Sequence, residues 1–451
     1  MLFTLFYFIV ALFLLIIVHE SGHFLVARLC GVKVLRFSFG FGKVLASWRD
    51  KQGTEYAWSL FPLGGYVKLL DETEGDVVPE ERHLAFNNQS LLVRVAVVLA
   101  GPVFNFLLAF VLLWFVLILG VKSLAPIIDN VSLESIAARA GLSAHQEIVA
   151  FNHKKITSWQ DFQYAIMPLI GSQNKVNITV KTLPNGPQTT HQMALIDWIL
   201  DPKKPDLLGS LGIEPFVPRI PPIVGTILPD SSAAQAGLQV DDVIVSVDGQ
   251  RVSDWLFLVR YVKERPDQSI DLLINRQGAH HHYLVHTTQV TQQGRTEGFL
   301  GLSSKPINLP PNWLRIQRLS PIAAIGVAME QTVDLTKNTF VLIGRMITGH
   351  LSLQGISGPV GIAQGAAESA RAGVVQYLSF LALLSIGLGV LNILPIPMLD
   401  GGHLLYYLIE AIRRRPLSIE SKTKSAYVGI ILLVVLTVVA LTNDLTRLVN
   451  A

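Results

Sequence analysis

Cysteine is almost missing from the chain. Cys30 is the single one among 451 residues, so no intrachain disulfide is possible, whatever compartment the soluble parts occupy. Charge is scarce too: Lys, Arg, Asp and Glu make up 15% of the residues, against about a quarter in a typical soluble domain, and half of the chain is hydrophobic. Such a chain is expected to lie partly in a membrane. Its net charge of +3 is too small to make nucleic acid a main partner. Basic residues are absent before Arg28, and His19 and Glu20 stand where the apolar core of a secretion leader should end. That combination argues for a retained membrane helix and against a cleaved leader.

What the sequence has in quantity is apolar stretches. Residues 1–18 carry no charge, and the run resumes past His23 as far as Ala27. Residues 95–121 are 27 uncharged residues in succession, 372–409 are largely apolar but interrupted by NILPIPMLDGG, and 425–443 are 19 uncharged residues. These lengths suit the roughly 20 residues that cross a hydrocarbon core. Arg28, Lys33, Arg36 and Lys43 follow the first stretch, and Arg413, Arg414, Arg415, Lys422 and Lys424 fill the loop between the third and fourth. The positive-inside rule puts both loops in the cytoplasm, which leaves both termini and the 122–371 region outside.

Between these stretches the pattern changes. KVLASWRD and TEYAWSLF are short β-prone runs around the turn-forming DKQGT, so 37–70 is expected to be a β-hairpin. It is either an ordinary cytoplasmic hairpin or one that dips into the bilayer where protein or a cavity satisfies its backbone. Residues 71–83 are acidic and expected as an exposed loop. The exported region repeats itself: SIAARAGLSAHQEIVAFNHKKITSW (135–159) aligns without gaps to SSAAQAGLQVDDVIVSVDGQRVSDW (231–255), with nine of 25 positions identical. The unit resembles the circularly permuted PDZ domain of bacterial proteases, which adds an extended peptide to a sheet edge. Asp241 stands where that family usually has glycine. The first copy departs further, with His145-Gln146 for the usual Gly-Asp and His153 for the turn glycine, which puts its turn geometry in question. PINLPPNW (306–313) reads as a stiff linker, 321–348 as an interfacial amphipathic helix, and GISGPVGIAQGA (355–366) as a glycine-rich loop.

The chemistry is concentrated in the first stretch. His19, Glu20 and His23 form H-E-x-x-H. On a helix, positions i and i+4 share a face, so both imidazoles reach one Zn²⁺ while the glutamate flanks it. Ionisable groups inside a membrane span are costly and mark function. A catalytic zinc takes a third protein ligand and keeps a position for water. In the other membrane stretches the second offers only Asn105, the fourth offers nothing, and the third offers Asp400, His403 and Glu410. Asp400, between prolines and glycines that break the helix, is the third ligand by elimination. His403 is the competitor, expected instead to support the site or cap the resumed helix. Asn105, one turn from Gly101, reads as close helix packing. At 1.5 Å per residue, His23 and Asp400 lie roughly 8 and 20 Å from the basic clusters that follow them, within the membrane toward its cytoplasmic side. Zinc lowers the pKa of bound water toward ~7, and Glu20 is placed to take that water's proton. Asn392 either donates a hydrogen bond to the oxyanion or makes a polar contact between helices. His280, His281 and His282 read as a solvated strand end, and Cys30 as a buried or interfacial thiol without chemistry.

HESGH in the first helix, the hairpin ending in FPLGGYVKL, GPVFN in the second, tandem repeats and NILPIPMLDGGH in the third together resemble the site-2 protease family of intramembrane zinc metalloproteases, in its two-PDZ bacterial branch. The resemblance covers essentially the whole chain. It implies one zinc ion held by His19, His23 and Asp400, with Asn392 touching the substrate or the developing oxyanion. It implies a bacterial inner-membrane protein that cleaves single-pass substrates, such as anti-sigma factors already trimmed outside, and remnant signal peptides. The hairpin is implied to pair with unwound substrate, and the PDZ pair to restrict bulky ectodomains and to bind peptide ends or a regulator.

The expected fold is a polytopic α-helical membrane protein with four transmembrane helices, a membrane-associated β-hairpin and two tandem extracytoplasmic PDZ domains, mainly β. Transmembrane helix 1 occupies 1–30, the hairpin region and loop 31–94, helix 2 95–121, the PDZ domains 122–217 and 218–306, and the linker and amphipathic helix 307–371. Helix 3, carrying L-D-G-G, takes 372–412, a cytoplasmic loop 413–424, and helix 4 425–448. A zinc transporter is one rival reading, but it predicts polar residues spread through the bilayer depth. A catalytically inactive PDZ scaffold is the other, but it predicts loss of motif residues.

Overall fold

Leu2–Leu29 forms a single helix, α1, uninterrupted by proline. The computed structural model describes residues 2–73, 75–196, 198, 200, 206–292, 295–306, 313–349, 351–353 and 356–450. The chain folds as two units, Met1–Glu214 with Arg315–Ala451, and Pro215–Leu314. After α1 come β1 (Val34–Arg49) and β2 (Glu55–Leu69). They form more than a hairpin. Residues 36–39 pair with 55–58 on one side and with 65–68 on the other, while 55–58 also meet 46–49. The result is a mixed sheet of four strand segments, in which 36–39 run parallel to 55–58 and antiparallel to 65–68, with the run 65–69 on one edge. Gly40 and Gly42, at φ 93° and 87°, let β1 turn sharply enough for this. The tip exposes Phe41, Leu45, Leu60 and Phe61. Helix α2 (Leu91–Leu119) follows, capped by the Ser90 side chain on the Val93 N–H.

The first sequence repeat carries two short helices, α3 (Ile136–Arg139) and α4 (Trp159–Ile166). Its sheet runs, in spatial order, 154–155, 146–151, 175–182, 188–194. Ile148, Phe162, Ile166, Ile178, Val180 and Met193 are fully buried at its centre.

The second unit repeats the plan, with α5 (Ser232–Gln235), α6 (Trp255–Lys263) and a sheet ordered 250–251, 243–247, 269–276, 279–286. Its core holds Ile244, Val247, Leu258, Ile270, Leu272 and Ile274. Even the left-handed residues recur at the same spacing: Glu134, His145, Asn152 and His153 (φ 61°, 61°, 44°, 67°) match Asp230, Asp241, Asp248 and Gly249 (59°, 72°, 45°, 75°). The histidines at 145 and 153 therefore leave the turns unchanged, because the sheet on either side holds them in the region glycine visits freely.

An ion pair anchors this second core. Arg276 donates to both Asp242 oxygens at 2.7 and 2.8 Å, and the Gln239 N–H donates at 2.7 Å. Burial works to raise the Asp242 carboxyl, but Arg276 and the Gln239 amide outweigh it and hold the pKa below the ordinary value. A carboxyl lowered on folding contributes stability above its unfolded pKa, near 3.9, and loses it as pH falls through the folded value. Hydrogen exchange across 215–314 in the full chain is therefore expected to show protection falling below about pH 4. Asp242→Asn should lower it by about 2 kcal/mol at neutral pH and flatten this dependence. An unaltered acid profile in that variant would contradict the assignment.

The chain returns through α7 (Pro321–Ile347), α8 (Pro359–Ala372), α9 (Val374–Ile393), α10 (Asp400–Arg413) and α11 (Ile419–Asn450). Of the proline-rich linker expected at 306–313, residues 307–312 lie outside the described residues. In α7 the buried stripe Ala324, Ala328 and Thr332 faces the core that α1, α2 and α9 build. The glycine-rich stretch expected as a loop is helical from Pro359 onward. Asp444 of α11 explains why: its carboxylate accepts from the N–H groups of Gly358, Val360 and Gly361 at 3.0, 3.0 and 2.9 Å, satisfying the orphan donors of a helix start. Among the described residues, four helices are long and apolar enough to cross a membrane: α1, α2, α9 and the Glu420–Thr446 part of α11.

Candidate metal centre

Three helices bring the polar groups of the apolar stretches together. Helix α1 offers His19 and His23 one turn apart, and α2 crosses them at Gly101. A side chain at Gly101 would run into His23 Nε2 and His19 Cε1, so only glycine lets α2 lie this close. Helix α9 ends at Ile393, and the non-helical run 394–399 passes through Met398 at φ 78° before α10 begins at Asp400. Gly402 makes room for that run to fold back, since a side chain there would meet the Ile396 carbonyl at 2.6 Å. Asp400 thereby sits in the first turn of α10.

The donor atoms form a small triangle. His19 Nε2 and His23 Nε2 are 3.2 Å apart, and Asp400 Oδ2 lies 3.2 and 3.5 Å from them. Oδ2 is buried yet makes no well-formed hydrogen bond to either ring. Three donors facing one point, with the buried carboxylate oxygen left without a hydrogen bond, fit a cation. Tetrahedral zinc with bonds of ~2.0–2.1 Å separates its ligands by about 3.3 Å, close to all three edges. His19, His23 and Asp400 are the only such group of potential metal donors among the described residues.

Glu20 lies beside the triangle, near enough to interact electrostatically with all three donors, and its carboxylate accepts a hydrogen bond from the backbone of Val67 on the 65–69 edge. The rings are held from behind by α2. His23 Nδ1 is 2.8 Å from the Val97 carbonyl, and the Asn105 amide is 3.0 Å from His19 Nδ1.

These donors, with a glutamate alongside, are what a metallopeptidase needs, and a model of peptidase family M50 matches residues 7–436. The chain belongs to peptidase family M50. It is 43% identical to regulator of sigma-E protease RseP of Escherichia coli (strain K12) over 98% of both chains. Protease RseP of Yersinia pestis is also 43% identical, again over 98% of both. A putative zinc metalloprotease of Vibrio cholerae is 38% identical over the same share. This M50 member is an intramembrane zinc metalloprotease.

The other candidates of the M50 chain do not belong to the donor group. Asn392 is buried in the last turn of α9 and is not one of the clustered donors. His403 is also outside the donor group and packs edge-on to Tyr406 at 5.8 Å. His280, His281 and His282 are exposed on the strand Ala279–His286, with His282 3.0 Å from Asp271. Cys30 is partly buried and free. Sequence reasoning missed one pair, Arg94 and Glu410. Arg94 holds Glu410 through two contacts at 2.7 and 3.3 Å and covers the Tyr407 ring, which ties α10 to α2. No local signal joins residues 316 positions apart.

Proposed function

We propose that His19, His23 and Asp400 hold one zinc ion and that the chain cuts single-pass membrane proteins inside the bilayer. The observation that carries this reading is the donor triangle with Glu20 beside it. Zinc, when bound, supplies Lewis-acid polarisation of a peptide carbonyl and of water. The Glu20 carboxylate accepts the attacking water's proton and returns it to the leaving amine nitrogen. Asn392 hydrogen-bonds the substrate or the carbonyl oxygen as charge develops there.

A transmembrane helix must unwind to be cut, because its backbone is closed by its own hydrogen bonds. The 65–69 edge beside Glu20 offers an extended segment new partners as an added strand. The exposed apolar tip of the same sheet suits a position dipping into lipid. Anti-sigma-factor-like proteins and remnant signal peptides are the substrates this reading assigns, and the Escherichia coli relative is named a regulator of sigma-E protease.

The two repeats act as PDZ domains outside the cytoplasm. They limit entry of bulky ectodomains and bind peptide ends or a regulator. Both termini lie on their side of the bacterial inner membrane, and the metal centre lies toward the cytoplasmic face, as the basic loops indicate.

The test is a purified chain in detergent with a single-pass substrate. One zinc per chain is expected, and mass spectrometry should map the cut within the substrate's apolar span. A cut confined to its soluble flanks would refute the reading.

A further inference from the structure

We infer that Asn105 fixes the tautomer of His19 and so positions a zinc ligand, beyond packing α2 against α1. The inference rests on the zinc reading above. His19 directs Nε2 at His23 and Asp400 and Nδ1 at Asn105. For Nε2 to offer its lone pair to a metal, the ring proton must sit on Nδ1 and needs an acceptor there. Asn105 is fully buried, its amide is 3.0 Å from Nδ1, and its Oδ1 has no hydrogen-bond partner. The two ends of an amide have nearly the same shape. A half-turn of the group makes Oδ1 the acceptor of the His19 Nδ1–H.

His23 follows the same logic. Its Nδ1 faces the Val97 carbonyl, which can only accept, so its proton is fixed on Nδ1 and its Nε2 is free. Helix α2 therefore supplies an acceptor to each imidazole, one from backbone and one from a side chain. Asn105 is itself held: Ser385 Oγ of α9 donates to its backbone carbonyl at 2.7 Å, which fixes this turn of α2. Such outer partners orient the ring and strengthen it as a ligand.

The experiment is zinc affinity of the full chain in detergent, measured by chelator competition, with unfolding of the metal-free protein followed alongside. Asn105→Leu keeps the size and removes the acceptor; Asn105→Asp keeps an acceptor at either position. The leucine variant is expected to bind zinc about 10–100-fold more weakly, and the aspartate variant within about threefold of the wild type or tighter. If the leucine chain does not fold, Asn105→Ala takes its place with the same readings. Zinc affinity unchanged without the acceptor, or lost equally in the aspartate variant, overturns the inference. A wild-type chain that binds no zinc would instead refute the zinc reading itself.

Discussion

Glu20→Gln should leave zinc bound while slowing cleavage of a single-pass substrate by about 10³-fold, within the range positioned proton-transfer groups supply. Glu20 is not among the converging donors, so the metal has no need of it. Glutamine has the same size and still offers the Val67 backbone an acceptor, so the 65–69 edge should stay in place. What the amide cannot do is take a proton from water. A thousandfold loss corresponds to about 4 kcal/mol of transition-state stabilisation at 1.36 kcal/mol per decade. Zinc per chain and the single-turnover rate are the two measurements. Cleavage within tenfold of the wild type would remove Glu20 from the proton path, and zinc lost together with activity would make it a ligand.

Gly101→Ala should do the reverse, weakening zinc binding without removing any polar group. Its methyl would occupy the space of His23 Nε2 and His19 Cε1, and neither ring can retreat, because Val97 and Asn105 hold the opposite nitrogens. Overpacking of this kind costs about 1–3 kcal/mol. If most of that strain falls on the rings, zinc binding weakens by about 10–100-fold. Gly344→Ala on α7 is the control, since nothing lies within 4 Å of the added carbon. Zinc affinity in Gly101→Ala equal to that of the control would show that the two helices separate at little cost.

How much of this was legible in the sequence follows the distance over which each feature is decided. His19 and His23 meet because of helix periodicity, and that is readable in five residues. Asp400 was reachable by elimination, since few donors exist in the apolar stretches, but its approach to 3.2 Å depends on the break at 394–399 and the glycines after it. The sheet of β1 and β2 was legible only as a hairpin, because the second pairing of 36–39 is a contact between segments that alternation does not order. The helix at Pro359–Ala372 reads as a glycine-rich loop until the Asp444 carboxylate caps it from a distant helix. His145 and His153 pointed to altered turns, yet packing on either side keeps the backbone of the other repeat. Gly101 and Asn105 looked like packing because a one-turn spacing of small and polar residues shows which face is buried, but not what lies against it.

The separation of the donors also has a consequence in time. A chain synthesised from its N-terminus at ~5–20 residues per second takes about 20–75 seconds to pass from His23 to Asp400. Throughout that interval the growing protein carries the two imidazoles without the Asp400 carboxylate that completes the donor set, a weaker and less selective trap for any passing cation. On the zinc reading, proteolytic competence arrives only once Asp400 has been made and α10 packs against α2, so that no half-made chain is able to cut its neighbours.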